Sequence, residues 1–186
     1  MPQREAGLRK TFDRLEGEHT VVNEVRRDEV ARPFQVLMRV PVPWVFILGY
    51  LIGVGLEYFW PLRLRSDVSG RVTTSIGAVL FTVGALIAGW GLVTFRRART
   101  TTVPGESSSQ LVTWGPYRFS RNPMYVGLAI AYLGEAFLQR QVWPAVLLPI
   151  VLAYVNWVVI PVEQARLSDV FDAEYAAYQR RVRRWL

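Results

Sequence analysis

Four apolar runs, separated by arginine-bearing segments, constrain this chain more than any other feature. They cover about residues 42–60, 73–95, 124–138 and 142–160. A hydrocarbon core of ~30 Å takes about 20 apolar residues in a helix that rises 1.5 Å per residue. The first, second and fourth runs have that length, and the third is short for a crossing. Backbone amides inside a bilayer must bond within their own segment, so the runs predict helices rather than open strands. The expected fold is all-α: an integral membrane bundle of about four transmembrane helices. Arg140-Gln141 parts the last two runs, which predicts a helical hairpin whose tip reaches the far side. Its first arm could instead be tilted or re-entrant.

With 186 residues the chain suits one domain. Hydrophobic residues make up 51% although 20% are charged, so the charges must be segregated into ends and loops. This divides the sequence into a polar segment, 1–40, and a membrane domain, 41–186. In the polar segment Leu8, Phe12 and Leu15 recur at helical spacing. That fits a short amphipathic surface helix or, equally, a loosely ordered tail. No apolar core follows Met1-Pro2-Gln3-Arg4-Glu5, so no secretory leader is expected. The sequence has no cysteine, which excludes disulfides and thiolate chemistry. His19 is the single histidine, so neither a metal site nor a histidine-based triad is expected.

The net charge is +7, with Lys10 the only lysine. Arg26, Arg27, Arg32 and Arg39 precede the first run, and Arg96, Arg97, Arg99, Arg118 and Arg121 follow the second. Many more follow the fourth. The opposite loops carry fewer, namely Arg63, Arg65 and Arg71 in one and Arg140 in the other. The positive-inside rule then puts both termini on the cytoplasmic side of the plasma (inner) membrane. Trp44, Tyr58 and Trp60 sit where interfacial aromatics are expected. Gly49 and Gly53 form a small-xxx-small pair suited to close helix packing, within one subunit or between two. The oligomeric state stays open.

After Pro161, the spacing of Leu167, Val170, Phe171, Tyr175, Tyr178 and Val182 predicts a one-sided helix over about 162–182. The cluster Arg180-Arg181-Val182-Arg183-Arg184-Trp185 that ends it suits an anionic membrane surface. The bilayer is the expected partner. No nucleic-acid fold signature accompanies the basic charge, so nucleic acid is not expected.

The densest chemistry lies in Gly115-Pro116-Tyr117-Arg118-Phe119-Ser120-Arg121-Asn122-Pro123-Met124-Tyr125-Val126-Gly127, with Glu163-Gln164 about forty residues later. Arg121 either anchors a helix end or grips a carboxylate or phosphate through its planar fork of donors. Pro123 fits the first turn of a helix, with Asn122 as its N-cap. Gly127 would let a ligand approach the backbone. Glu163 is either a helix-start acid, favourable with the macrodipole, or an anion that faces a cationic ligand. Arg121 with Glu163 would suit an amino-acid-like zwitterion at the edge of a lipid-facing cavity. Glu57 and Glu135 read as far-interface acids, although an ionisable group in an apolar run is often functional. Asn156 is placed to bond between helices.

These segments, together with Phe95-Arg96-Arg97 before them and Phe171-Asp172-Ala173-Glu174-Tyr175 after them, resemble the isoprenylcysteine carboxyl methyltransferase-like and phospholipid methyltransferase family of integral-membrane enzymes. The resemblance covers about residues 70–186. It implies S-adenosylmethionine as cofactor and methyl transfer to an amphiphilic substrate at the cytoplasmic face. The family's Arg-His-Pro-x-Tyr-x-Gly segment falls on Arg121, Asn122, Pro123, Tyr125 and Gly127, and its Glu-Glu pair on Glu163 and Gln164. Gly115, Pro116 and Tyr117 join the implied cofactor-binding set, and Arg121 and Glu163 are the implied catalytic pair. Three departures stand out. Asn122 replaces a histidine, Gln164 replaces the second acid, and Asp172 stands where glycine is usual. Gln164 keeps a second reading alive, a non-catalytic membrane protein that retains the cofactor fold. A small transporter has less behind it, since the spans are few and no inverted repeat is present.

Overall fold

The computed structural model describes residues 42–62, 70–98 and 110–186, which belong to one compact unit. The segment around Leu8–Leu15, where an amphipathic helix or a loosely ordered tail is expected, His19, the arginines before Val40, Arg63, Arg65 and Arg99 lie outside the described residues. Five helices follow in order: α1 (Val42–Phe59), α2 (Gly70–Arg97), α3 (Pro123–Gln139), α4 (Val142–Tyr154) and α5 (Ile160–Arg181). A short 3-10 turn, Gly115–Arg118, precedes α3, and a π turn, Val155–Val159, joins α4 to α5 without a break. No strand occurs among the described residues.

Among the described residues three helices are long and apolar enough to cross a membrane: Val42–Phe59, Gly70–Arg97 and the continuous Val142–Arg181, whose apolar part ends near Ile160. With 17 residues, α3 rises about 25 Å, short of a ~30 Å hydrocarbon core. Three of the four expected crossings therefore have a helix of sufficient length, and α3, with few exposed residues, packs among them. Trp44, Leu48, Leu51, Ile52, Val79, Leu86, Ile150 and Trp157 are exposed, while Gly53, Gly77, Gly84 and Gly91 are buried. Large residues outside and small ones inside is the arrangement lipid favours.

Backbone lies on backbone between α2 and α3. A Cβ on Gly127 would fall 2.5 Å from the amide nitrogen of Ala88 and 2.7 Å from the carbonyl of Gly84. Gly84 meets Ala131 and Gly127 in return. Glycine at 127 is thus required by helix packing, which accounts for it without a ligand. Similarly, Gly49 and Gly53 face Val151 and Pro144 of α4, so their pairing is internal to the bundle. Val42, Phe46, Tyr132, Leu148, Val151, Val155 and Ile160 fill the core between these helices.

The hairpin tip is built as expected, with a left-handed Arg140 closing α3. Gln141 N–H reaches back to the Ala136 carbonyl at 2.9 Å. Glu57 of α1 then caps α4, its Oε2 accepting from the amides of Val142 and Trp143, both at 3.0 Å. At the other end of α4 the π turn precedes Pro161. Proline has no amide to donate, and its ring would strike the carbonyl four residues back. A widened turn relieves that conflict without breaking the helix.

Candidate functional site

The segment entering α3 is shaped by contacts to the end of α2. Gly115 adopts φ +64, and a Cβ there would meet Thr94 Oγ1 at 3.0 Å. Both its conformation and its space call for glycine. Pro116 opens the 3-10 turn, which drives the Tyr117 ring edge-on against Phe95 at 5.0 Å. The Tyr117 carbonyl accepts the Tyr178 hydroxyl at 2.7 Å, tying this turn to α5. Leu111 is buried with Tyr175 and Tyr178 beneath it. Gly115, Pro116 and Tyr117 therefore frame the site, and their own packing accounts for them.

Arg121, Asn122 and Pro123 follow. Pro123 takes the first turn of α3, as its missing amide predicts. Asn122 stands at the N-cap position, but its side chain does not cap the helix. Instead Asn122 Nδ2 donates to the Arg184 carbonyl at 2.8 Å, and the Arg121 amide donates to the Arg183 carbonyl at 2.9 Å. Ser120 Oγ accepts the Asn122 amide at 3.0 Å. Two carbonyls after α5 thus hold the peptide that presents Arg121.

Those carbonyls belong to the basic cluster expected at the membrane surface. Two of its side chains turn inward instead. Arg184 donates to Gln164 Oε1 at 3.2 Å and lies 3.5 Å from Asn156 Oδ1, which also accepts the Trp185 indole N–H at 3.0 Å. Asn156 sits in the π turn, so its inter-element bonding was legible in the sequence. Arg184 and Trp185 were not, because a basic-aromatic end reads as a surface anchor. Arg180, Arg181 and Arg183 do stay exposed.

Glu163 is brought to the same place by the first turn of α5. The Tyr125 hydroxyl donates to Glu163 Oε2 at 2.9 Å. The carboxylate is reached by solvent, although protein atoms crowd around it. That crowding raises its pKa above the ordinary value, against the opposing pull of Tyr125 and Arg166. Burial likewise pushes the Tyr117 hydroxyl well up, with the Glu163 charge adding to it. Tyr175 and Tyr178 are raised chiefly by burial, and the charge of Arg121 opposes the rise in both. Arg121, Glu163 and the tyrosines 117, 125, 175 and 178 therefore share one electrostatic neighbourhood.

Two donors in this neighbourhood have no partner. Arg121 Nε and Gln164 Nε2 are buried and make no hydrogen bond. Buried donors are rarely left so, and each calls for an acceptor. Of the other acids, Glu57 caps α4 and Glu135 accepts from Gln139 at 3.0 Å, both at the hairpin end and away from this site. Among the described residues no group of three or more His, Cys, Asp or Glu side chains is placed to hold a metal ion.

Comparison with known proteins matches the phospholipid methyltransferase family to residues 72–174, from α2 through most of α5. The nickel-cobalt-cadmium resistance protein NccN of Alcaligenes xylosoxydans xylosoxydans is 34% identical over 109 residues, 58% of this chain and 50% of that protein. The chain thus spans about half the length of that relative. No solved structure matches. The family match covers more than half of the chain and takes in both halves of the site, Arg121 with Tyr125 and Glu163 with Gln164. The protein belongs to the phospholipid methyltransferase family.

Proposed function

We propose that this protein transfers a methyl group from S-adenosylmethionine to an amphiphilic or lipid-like substrate at the cytoplasmic face of the plasma membrane. One observation carries the reading. An arginine with a buried, unpartnered donor and an acid bonded to Tyr125 both act on the same group of tyrosines at one end of the bundle. A molecule with an amino-acid end carries both the anion and the cation that these side chains would satisfy. The residues present therefore fit the cofactor that the family implies.

When bound, S-adenosylmethionine supplies an electrophilic methyl group on a sulfonium. The remaining work is alignment of the two reactants and exclusion of water. Arg121 would take an anionic group of cofactor or substrate through its donors. Glu163, steadied by Tyr125, would hold an ammonium. Tyr117 and Asn122 would shape the walls, the first through its packed ring and the second by fixing the Arg121 peptide against the tail. A carboxylate or thiolate acceptor would need no base, and an amine or phenol would have to give up a proton. The arginines at the end of α2 and beyond α5 support a cytoplasmic position for this end of the bundle.

A second reading rests on Gln164, which replaces an acid of the family pattern. Here the fold binds the cofactor without turning it over. Calorimetry of S-adenosylmethionine and S-adenosylhomocysteine on the nanodisc-purified protein tests both. Micromolar binding that is lost in Arg121→Ala and Glu163→Ala supports the site, and absence of binding to a folded sample refutes it. Labelled-methyl transfer to lipid extracts then separates enzyme from binding protein.

A further inference from the structure

Gln164 is read most simply as a degraded acid, but its surroundings give it a different part. Its Oε1 accepts from Arg184 at 3.2 Å. A guanidinium has donors only, so the amide must turn its oxygen toward Arg184. That choice fixes the other end, and Nε2 is left as a donor, buried and without a partner. Arg184 is itself anchored. It approaches Asn156 of the π turn, and its carbonyl takes the Asn122 amide, so the orientation of Gln164 is locked from two sides. A glutamate in this position would pair with Arg184 and present an acceptor to the site. Glutamine presents a donor, and Arg121, tied through its amide to the Arg183 carbonyl next to Arg184, carries in Nε a second donor without a partner.

Building on the proposed methyl-donor site, we infer that Gln164 Nε2, oriented by Arg184, joins Arg121 in binding an oxyanion of the ligand, either the carboxylate of the methyl donor or a phosphate of an anionic substrate. Arg184 is a positioning residue in this arrangement. It acts through Gln164 and touches no ligand atom.

The test is the exchange Gln164→Glu in the full chain in nanodiscs. It keeps the shape, should hold or raise thermal stability through the new pair with Arg184, and reverses the polarity offered to the ligand. Titration with S-adenosylhomocysteine reads the first source of the oxyanion. Decarboxylated S-adenosylmethionine, which lacks the carboxylate, is its control. A short-chain phosphatidic acid reads the second source, with the matching diacylglycerol as control. Loss of a charge-assisted hydrogen bond should weaken binding of one oxyanion ligand about tenfold or more, while its control changes less than about twofold. Arg184→Gln, which frees the amide to turn, should weaken the same ligand and not the control. If Gln164→Glu binds both oxyanion ligands as tightly as the parent or better, the inference is overturned while the methyl-donor site stands. If the parent protein binds neither S-adenosylhomocysteine nor S-adenosylmethionine, the site and the inference fall together.

Discussion

The two ends of the helical bundle are both rich in polar and aromatic groups, yet they differ in how those groups are satisfied. At the hairpin end, Glu57 takes two amides of α4, the Trp143 indole donates to the Trp60 carbonyl at 2.6 Å, and Tyr50 donates to Gln141 at 3.1 Å. These polar groups close a helix end or a turn. At the opposite end Arg121 Nε and Gln164 Nε2 are left without partners, and Glu163 is held by the Tyr125 hydroxyl. A folded chain has little reason to bury donors without acceptors unless something else supplies them. The Tyr132 hydroxyl, in the core between the ends, is also without a partner; at the Arg121 end the proposed ligand would supply the missing acceptors.

Substitutions can break that contrast. Arg121→Ala should have the largest effect, lowering methyl-donor affinity by about 100-fold through loss of charge-assisted bonds. Its melting temperature should change little, because the backbone bond from Arg121 to Arg183 remains. Calorimetry and a thermal scan on the same sample separate the two readouts. Unchanged methyl transfer by the folded variant would remove Arg121 from the site.

Glu163→Gln should come next, at about tenfold in affinity, and it carries a pH signature. The folded-state pKa of Glu163 lies above its ordinary value of 4.5. A bound ammonium favours the ionised form, so affinity should rise as pH rises through that raised value. The Gln variant should show a flatter profile. In the ligand-free protein the sign is opposite. Between the ordinary and the raised value the folded chain holds the proton more firmly than the unfolded one, so this group's contribution to stability falls as pH rises. A profile that is equally steep in the Gln variant would assign the titration to another group.

Glu57→Ala sharpens the contrast from the other side. It removes the side-chain acceptor for two helix-end amides and should cost about 1 kcal/mol of stability. Cofactor affinity should stay within about twofold, since the capping bonds lie at the far end. If Glu57→Ala weakened methyl-donor binding as strongly as it lowered stability, the two ends would be coupled and the contrast drawn here would fail.

The hairpin end was easier to read in the sequence than the Arg121 end. Apolar runs at 42–60 and 73–95 mark α1 and α2 because lipid demands continuous hydrophobicity, a local property. The Arg140-Gln141 interruption marks the hairpin tip for the same reason. That Arg121 and Glu163 share one neighbourhood was suggested by their places at the ends of apolar runs and by resemblance, since their distance along the chain carries no periodic signal. Three details escaped. Asn122 looked like an N-cap but bonds a carbonyl 62 residues away. Gly127 looked like room for a ligand but is room for α2. Arg184 and Trp185 looked like a surface anchor but reach the π turn. In each case a long-range contact overrides a local preference, and local preference is all that a single sequence displays.

Asp172 offers the smallest and cleanest test, because there local strain and family pattern point the same way. It bends α5 with φ 34 and ψ −109, a conformation that side-chain-bearing residues rarely adopt. Residues held in such regions cost of order 1–3 kcal/mol. Glycine, the usual residue at this position in the family it resembles, would relieve most of that while giving back part through its looser unfolded chain. Asp172→Gly should therefore stabilise the protein by about 1 kcal/mol or less, read as a rise in melting temperature. The bend lies between Leu167 and Tyr175, both packed around Leu111, and so adjoins the Arg121 end. If the aspartate only stores strain, donor affinity stays constant while stability rises. If affinity changes as well, the bend sets how Tyr175 meets Arg121, and strain at Asp172 is part of the site.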